Sequence, residues 1–401
     1  MKKSISYRRI EGKHPVFIWA LAVSTLLILV GLYAVYNMEH HGHVITGMTN
    51  QIVWGIPHVF AIFLIVAASG VLNVASISSV FRKSFYHPLA RLSALLAITL
   101  LVGGLMVLVL DLGHPDRLVV AMTHYNFKSI FSWNIILYNG FIFLCVVYIW
   151  VMMERRMQGN KPTIGLFAFL WRLILTTGTG SIFGFLMARE AYDTAILPPL
   201  FIALSLVLGL AVFLLLLMFF SHALGERILQ RPKTLLGVLI AAVFYFVLAY
   251  HLTHLYITGR HGVEYFILAD SGIYTILFWG GYMFLGTILP LLLLYHERFS
   301  HSRVSIGTAC FFSILGGFSL LYVIIIGGQA YPLDIFPGME VVSSSFFDGA
   351  SKHPYTPSGW EIMLGMAGIS VSIVLTLVAM KILPFLPANL TDRDIDPEML
   401  D

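Results

Sequence analysis

Ionisable side chains are scarce in this sequence, and those that fall inside apolar runs pose the first chemical question. Arg172 lies about nine residues into one such run. A charge in hydrocarbon is expensive, so Arg172 must face an interior and meet a partner or water, either as part of a pathway or as a structural arginine bonded to carbonyls. His58 sits one turn into another run, and His251 and His254 lie one turn apart near the end of a third. An imidazole at such a position can donate a hydrogen bond and can take up or release a proton. The same histidines could equally be packed interfacial residues. The densest cluster is Leu110-Asp111-Leu112-Gly113-His114-Pro115-Asp116-Arg117. Asp111 is expected at a membrane edge, with Gly113 and Pro115 stopping the helix. Asp116 and Arg117 follow, as a site or as a helix-end ion pair in water. His124, Tyr125 and Asn126 come next, and Lys128, Ser129, Trp133 and Asn134 open the following run. Two imidazoles at one depth on facing helices could hold a haem b, and His58 with His251 is a candidate pair. Cys145 and Cys310 lie inside apolar runs and have neither zinc nor iron–sulfur spacing.

These residues are carried by a chain that is 58% hydrophobic and 11% charged, where a soluble chain carries roughly 25% charge. The apolar residues come in runs of about twenty, enough to cross ~30 Å of hydrocarbon as helix. The short alternating segments of a transmembrane barrel are absent. The fold class is therefore all-α and polytopic, with ten spans predicted at 16–36, 56–80, 92–110, 131–153, 164–187, 197–220, 235–256, 273–294, 304–327 and 361–383. The first run is too long for a cleavable signal and lacks a small-residue cleavage site. The net charge of +4 reads as a topological signal rather than a nucleic-acid surface.

With ten spans, eighteen of the 24 lysines and arginines fall on the side of the two termini, five on the other, and Arg172 within a span. The positive-inside rule then puts both ends in the cytoplasm. Histidine runs the other way: His40, His41, His43, His58, His114, His124, His251, His254, His261 and His353 cluster toward the periplasmic ends. Residues 1–50 comprise the N-terminus, the first span and a periplasmic loop; 51–330 form an eight-helix core; 331–401 hold a loop, the tenth span and a cytoplasmic tail. The loop 328–360 carries Tyr331, Phe336, Phe346, Phe347, Tyr355 and Trp360, as packing on the bundle rim or a partner, or as an interfacial belt. A faint repeat relates Ile56-Pro57-His58-Val59-Phe60, with Gly70, to Leu197-Pro198-Pro199-Leu200-Phe201, with Gly209. It implies two parallel four-helix units with one extra helix at each end of the chain.

The phrases VWGIPHVFAIFLIVAASG, LDLGHPDR and KSIFSWN resemble the NrfD/PsrC family, whose marks are a DLGxPxR segment and a Ser-x-x-x-Trp segment just beyond it; Gly113, Pro115 and Arg117 fill the first. EHHGHVITGMTNQIVWG, WRLILTTGTGSIFGF and IIIGGQAYPLDIFPG are similar to its ten-span DsrP branch. The resemblance implies a bacterial inner-membrane subunit with no haem or iron–sulfur cluster of its own, binding menaquinone or ubiquinone near the periplasmic face. Its implied partners are a periplasmic iron–sulfur protein like DsrO, a cytochrome c, a haem b membrane subunit and a cytoplasmic iron–sulfur subunit. The family's quinone residues are a His, an Asn and a Tyr. His58 lies about one turn from that register, and no Asn matches. On this reading the head group sits between the second, third and fourth spans, with His58 as donor, Asp111 as proton acceptor and Trp54, Phe60 and Trp133 as an apolar slot. His124, Asn134, Arg172, His251 and His254 are further quinone or proton-transfer candidates. The rivals are a haem b cytochrome and a secondary transporter, whose mark would be helices unwound at the midplane; the prolines that open spans here lie at helix ends. Reporter fusions after Met1 and after Asp401 should both report cytoplasm, and a periplasmic signal at either end would break the ten-span scheme.

Overall fold

A computed structural model describes residues 7–81, 83–220, 226–270, 272–332 and 355–387. Ten apolar helices long enough to cross a membrane run over Pro15–His41, Ile56–Ser79, Phe85–Leu110, Ile130–Met153, Arg155–Gly184, Leu197–Phe220, Ile228–Tyr256, Ile273–Tyr295, Arg303–Ala330 and Gly359–Ile382. All ten expected spans are present, and four are longer than hydropathy suggests. The first runs on to His41. The third, fifth and seventh begin earlier because polar turns continue the helix at that end: 3-10 turns at Ser84–Leu89 and Arg155–Asn160, and polar helical residues before Leu235. The eighth span contains a π-helical stretch, Leu277–Ile288, and the ninth a shorter one, Val323–Gly327.

Spans two to five close into one four-helix bundle and spans six to nine into a second. The repeat seen in the sequence is the seam between them. The second and sixth spans are the first helices of the two bundles, and they pack on each other along their length. Nearly every residue of the second span is buried, so it is the axis of the molecule. At the crossing, a Cβ on Gly70 would lie 1.6 Å from the Ser205 carbonyl oxygen, and one on Gly209 would lie 2.1 Å from the Gly70 carbonyl carbon. Only glycine lets backbones approach this closely, the packing device that membrane helices use in place of a hydrophobic driving force.

The first and tenth spans, far apart in sequence, pair with each other, and the tenth packs on the third and second. Both extra helices therefore lie on one flank of the first bundle. Tyr7–Arg8 pairs antiparallel with Leu386–Pro387, so the first and last described segments meet at one end of the bundle. Arginines there cap helix C-termini: Arg8 donates to the Phe220 carbonyl at 3.2 Å, Arg91 to Met152 at 2.8 Å and Arg303 to Met218 at 2.6 Å. A cation at the negative end of a helix is favourable, so these topological charges are also structural. The opposite, distal end carries the histidine-rich chemistry.

The crossing makes a sharp test. Gly70→Val and Gly209→Val should each abolish accumulation of folded protein. Overpacking costs about 1–3 kcal/mol where side chains can yield, and here the obstacle is backbone. Gly280→Ala, where a Cβ meets nothing within 4 Å, should be neutral by size-exclusion profile in detergent.

Candidate functional site

The distal end holds two carboxylate–imidazole clusters, one in each bundle. In the first, Pro57 occupies the opening turn of the second span, where its missing N–H costs nothing, and places His58 on that turn. The preceding loop is clamped. The Gln329 side chain accepts from the Val53 and Trp54 amides at 3.0 Å and donates to the Trp54 carbonyl at 3.1 Å. Arg189 donates to the Gln51 carbonyl at 2.6 Å and the Gln329 carbonyl at 3.0 Å. The Trp54 ring stacks on His58 with centroids 5.4 Å apart and planes 14° from parallel.

Asp111 caps the third span, its amide donating to the Val107 carbonyl at 2.9 Å. Its side chain turns inward, only 5% exposed, with Oδ2 3.8 Å from His58 Nδ1. That is an ion-pair distance, longer than a direct hydrogen bond. Oδ1 is buried without a partner, as are both ring nitrogens of His43, whose ring lies over Gly113. Buried polar atoms are nearly always paired, so three unpartnered atoms side by side set this end of the third span apart. Burial raises the Asp111 carboxyl above its ordinary range; His58 and His43 pull the other way, and the Glu361 carboxylate adds to the rise.

Glu361 comes from the tenth span. It accepts from the Gly47 amide at 2.8 Å, the Ser358 amide at 2.7 Å and the Tyr355 hydroxyl at 2.5 Å. Tyr355 in turn accepts from the Ile56 amide at 2.8 Å. The tenth span is thereby bolted to the turn that carries His58.

In the second bundle His251 and His254 share one carboxylate. Glu264, on the short helix His261–Leu268, lies 2.7 Å from His251 Nδ1 and 3.1 Å from His254 Nδ1. Arg260 reaches His254 Nε2 at 2.9 Å and holds Asp193 at 3.2 Å. Asp193 takes a left-handed φ of 48°, accessible to Asp, which turns both its carbonyl and its carboxylate toward Arg260. Burial alone would raise Glu264, but hydrogen bonds from the two imidazoles outweigh it and hold the carboxyl below its ordinary value.

The remaining expected residues scatter. His124 is exposed and bonds Thr123 Oγ1. Trp133 is half exposed and donates to the Phe127 carbonyl, while Phe60 packs on Phe318 and against Gly365. Of the expected slot, only Trp54 lies against His58. Asn134 is buried and donates to the Ile130 and Gly178 carbonyls. Arg172 is buried mid-span, over the Phe169 ring and 3.1 Å from Asn73 Oδ1, with Nε and Nη1 unpartnered. In the LDLGHPDR segment Gly113 and Arg117 are exposed and Pro115 half-buried, and Asp116 lies near His114 at 3.7 Å. His58 and His251, the candidate haem pair, sit in different bundles, each set against its own carboxylate. Of the loop aromatics, Phe336, Phe346 and Phe347 lie outside the described residues. Tyr331 packs on Phe266 and Trp360 on Tyr33, and Tyr355 is buried. Sequence reading placed His43 only among the periplasmic-end histidines and Tyr355 only among the loop aromatics, and it did not single out Glu264, Glu361, Arg260 or Gln329. The signals were there: a carboxylate inside Val263-Glu264-Tyr265-Phe266-Ile267-Leu268, and a Ser-x-x-Glu capping box at Ser358 and Glu361.

Ten apolar helices, eight of them in two bundles and two on one flank, define a multi-pass membrane protein with buried acid–imidazole clusters at one end. The family model described as "Polysulphide reductase, NrfD" matches residues 44–332, and the chain belongs to that family. It is 26% identical to the Hdr-like menaquinol oxidoreductase integral membrane subunit of Archaeoglobus fulgidus, over 98% of this chain and 100% of the relative. It is 26% identical to a selenate reductase subunit of Mesobacillus selenatarsenatis, covering 89% and 92%. A polysulfide reductase chain of Wolinella succinogenes is 24% identical over 70% of the present sequence and 96% of its own.

Glu361 tests how the first cluster is held. Glu361→Ala leaves a buried hydroxyl and two amides without their acceptor, at about 1–3 kcal/mol for each group stranded. The melting temperature should fall by several degrees, whereas Glu361→Gln, which keeps an acceptor oxygen, should lose less.

Proposed function

We propose that this chain is the quinone- or quinol-interacting integral membrane subunit of a respiratory oxidoreductase complex, with the head group bound beside His58 and Asp111. The observation that carries the reading is the juxtaposition of an imidazole, a half-partnered buried carboxylate and the Trp54 ring at one bundle end. A quinone ring needs an aromatic or aliphatic wall, a donor at one oxygen and a nearby group to hold the proton that accompanies each electron. His58 is suited to bond the head-group oxygen. Asp111, with burial favouring its protonated form, is suited to take a proton from His58 and give it back. His43 draws Asp111 toward its ionised form, and the Glu361 carboxylate opposes it. Trp54 holds the imidazole plane fixed, and the Gln329 and Arg189 clamp keeps Trp54 in place.

The relatives support this class. One is named as a menaquinol oxidoreductase subunit, others as parts of selenate and polysulfide reductases. The first relative's match spans both extra helices, which favours the ten-span branch and menaquinol as the natural quinol. The same branch suggests a sulfur-metabolism complex resembling DsrMKJOP, with electrons exchanged with a periplasmic iron–sulfur subunit seated on the distal end and with cytochrome and cytoplasmic iron–sulfur subunits in the assembly. Both termini are then cytoplasmic, in a bacterial inner membrane.

His58→Phe and Asp111→Asn should each leave assembly intact while slowing quinol-linked reduction of the partner's iron–sulfur clusters, or the reverse reaction. Loss of one head-group hydrogen bond is worth on the order of 1 kcal/mol, and more when buried, so a rate or affinity loss of roughly tenfold is expected for His58→Phe. Wild-type turnover by both variants across a quinone titration would move the site elsewhere. A stoichiometric Soret band in the purified protein would favour the cytochrome rival instead.

A further inference from the structure

The second bundle contains a buried acid that the quinone reading does not use. Glu264 is fully buried, and so is His254. With Glu264 ionised, the donors and acceptors around them allow one arrangement. An arginine has five donors and no acceptor and does not give up its proton. Arg260 Nη1 lies 2.9 Å from His254 Nε2, so that nitrogen accepts. The proton of His254 is then on Nδ1, donated to Glu264 Oε1. On the other side His251 Nδ1 donates to Oε2 at 2.7 Å. Every position in the cluster is now assigned except His251 Nε2, which makes no hydrogen bond among the described residues. His251 lines a narrow cavity whose walls include Leu200 of the sixth span, Val247 of the seventh, Ile267 of the short helix and Val323 of the ninth.

We propose that this cluster is a one-proton loading site, with Nε2 of His251 as its single point of exchange and water in the cavity as the carrier. Arg260 closes the route from the aqueous edge, because a proton cannot pass through it to His254. Asp193 holds Arg260 in that position. Loading Nε2 creates an imidazolium against the Glu264 carboxylate, so the proton arrives without adding an unpaired charge to the interior. Around the cluster the titratable and charged groups are Tyr250 and His254 of the seventh span, Glu264 and Arg260 of the segment after it, and Tyr192 and Asp193 of the connection between the fifth and sixth spans, with Tyr282 of the eighth beside Phe278. The sixth and ninth spans present aliphatic side chains to the cavity. A second feature singles out this place. Phe278, in the π-helical stretch of the eighth span, packs edge-on to His251 at 4.7 Å, and Val323 opens the π-helical turn of the ninth. Such segments recur at functional sites. The proposal does not depend on where the quinone binds.

The test is 15N solid-state NMR on the full-length, histidine-labelled protein in lipid bilayers. His254 should show one tautomer, protonated at Nδ1, and Arg260→Gln should split it into two. His251 Nε2 should be the nitrogen that gains a proton as the sample is taken from alkaline to acidic pH. In Glu264→Gln its doubly protonated fraction should fall about tenfold, since the charge that favours the imidazolium is gone. If that variant does not accumulate, His251→Gln carries the test, because its amide can still donate to Glu264. It should bind one proton fewer per chain in a potentiometric titration over the same range. Uptake at His254 in the wild type, an unchanged His251 in Glu264→Gln, or undiminished proton binding in His251→Gln would each overturn the proposal.

Discussion

Where the second and sixth spans cross, backbone lies against backbone, an approach that leaves no room for a side chain at Gly70 or Gly209. In lipid the hydrophobic effect does not press helices together, so close packing and interhelical polar contacts must do it. The crossing fixes how the two bundles sit, and through that it fixes their distal ends. His58 is three turns from Gly70 on the same buried helix. The cavity beside His251 is walled by Leu200, two and a half turns from Gly209 on the partner helix. A shift at the seam would move both.

The two acids at that end meet the same problem, charge in a poorly hydrated place, in different ways. Glu264 receives two imidazole donors, and its ionised form is favoured despite burial. Asp111 has one imidazole at 3.8 Å and an oxygen with no partner, and burial shifts it toward its protonated form. A fully bonded carboxylate is a fixture, whereas a half-bonded one can change state when something arrives. Glu361 is of the first kind, with three donors, one of which, Tyr355, ties the tenth span to the turn that carries His58.

Much of this was legible in the sequence because membranes impose simple rules. Length and apolarity mark every span, and the repeated Pro-containing openings with Gly70 and Gly209 anticipate the seam. His58 and Asp111 could be matched because each ends or begins a span at the same level. The rest was hidden for a physical reason. Glu264 reaches His251 from a short helix beyond the span, and Glu361 reaches the His58 turn from more than 300 residues away. No local pattern encodes such pairings. His124, Trp133 and Arg117 show the converse: a polar cluster beside a membrane segment can belong to the surface. The π-helical stretch of the eighth span leaves no mark in hydropathy, because its residues are as apolar as those of an ordinary span.

The pairing of the first and last helices also dictates an order of assembly. The first span makes its main helical contact with the tenth, which begins at Gly359, over 300 residues downstream of His41. At bacterial elongation rates of about 5–20 residues per second, that is on the order of a quarter of a minute to a minute of synthesis. Throughout that interval the newborn first helix waits in the bilayer without its mate. The turn that carries His58 likewise lacks its tie to Glu361 until that residue leaves the ribosome. The distal end of the first bundle is therefore completed last, when the final helix has been inserted, and a ribosome that stalls before residue 361 leaves that turn without its anchor.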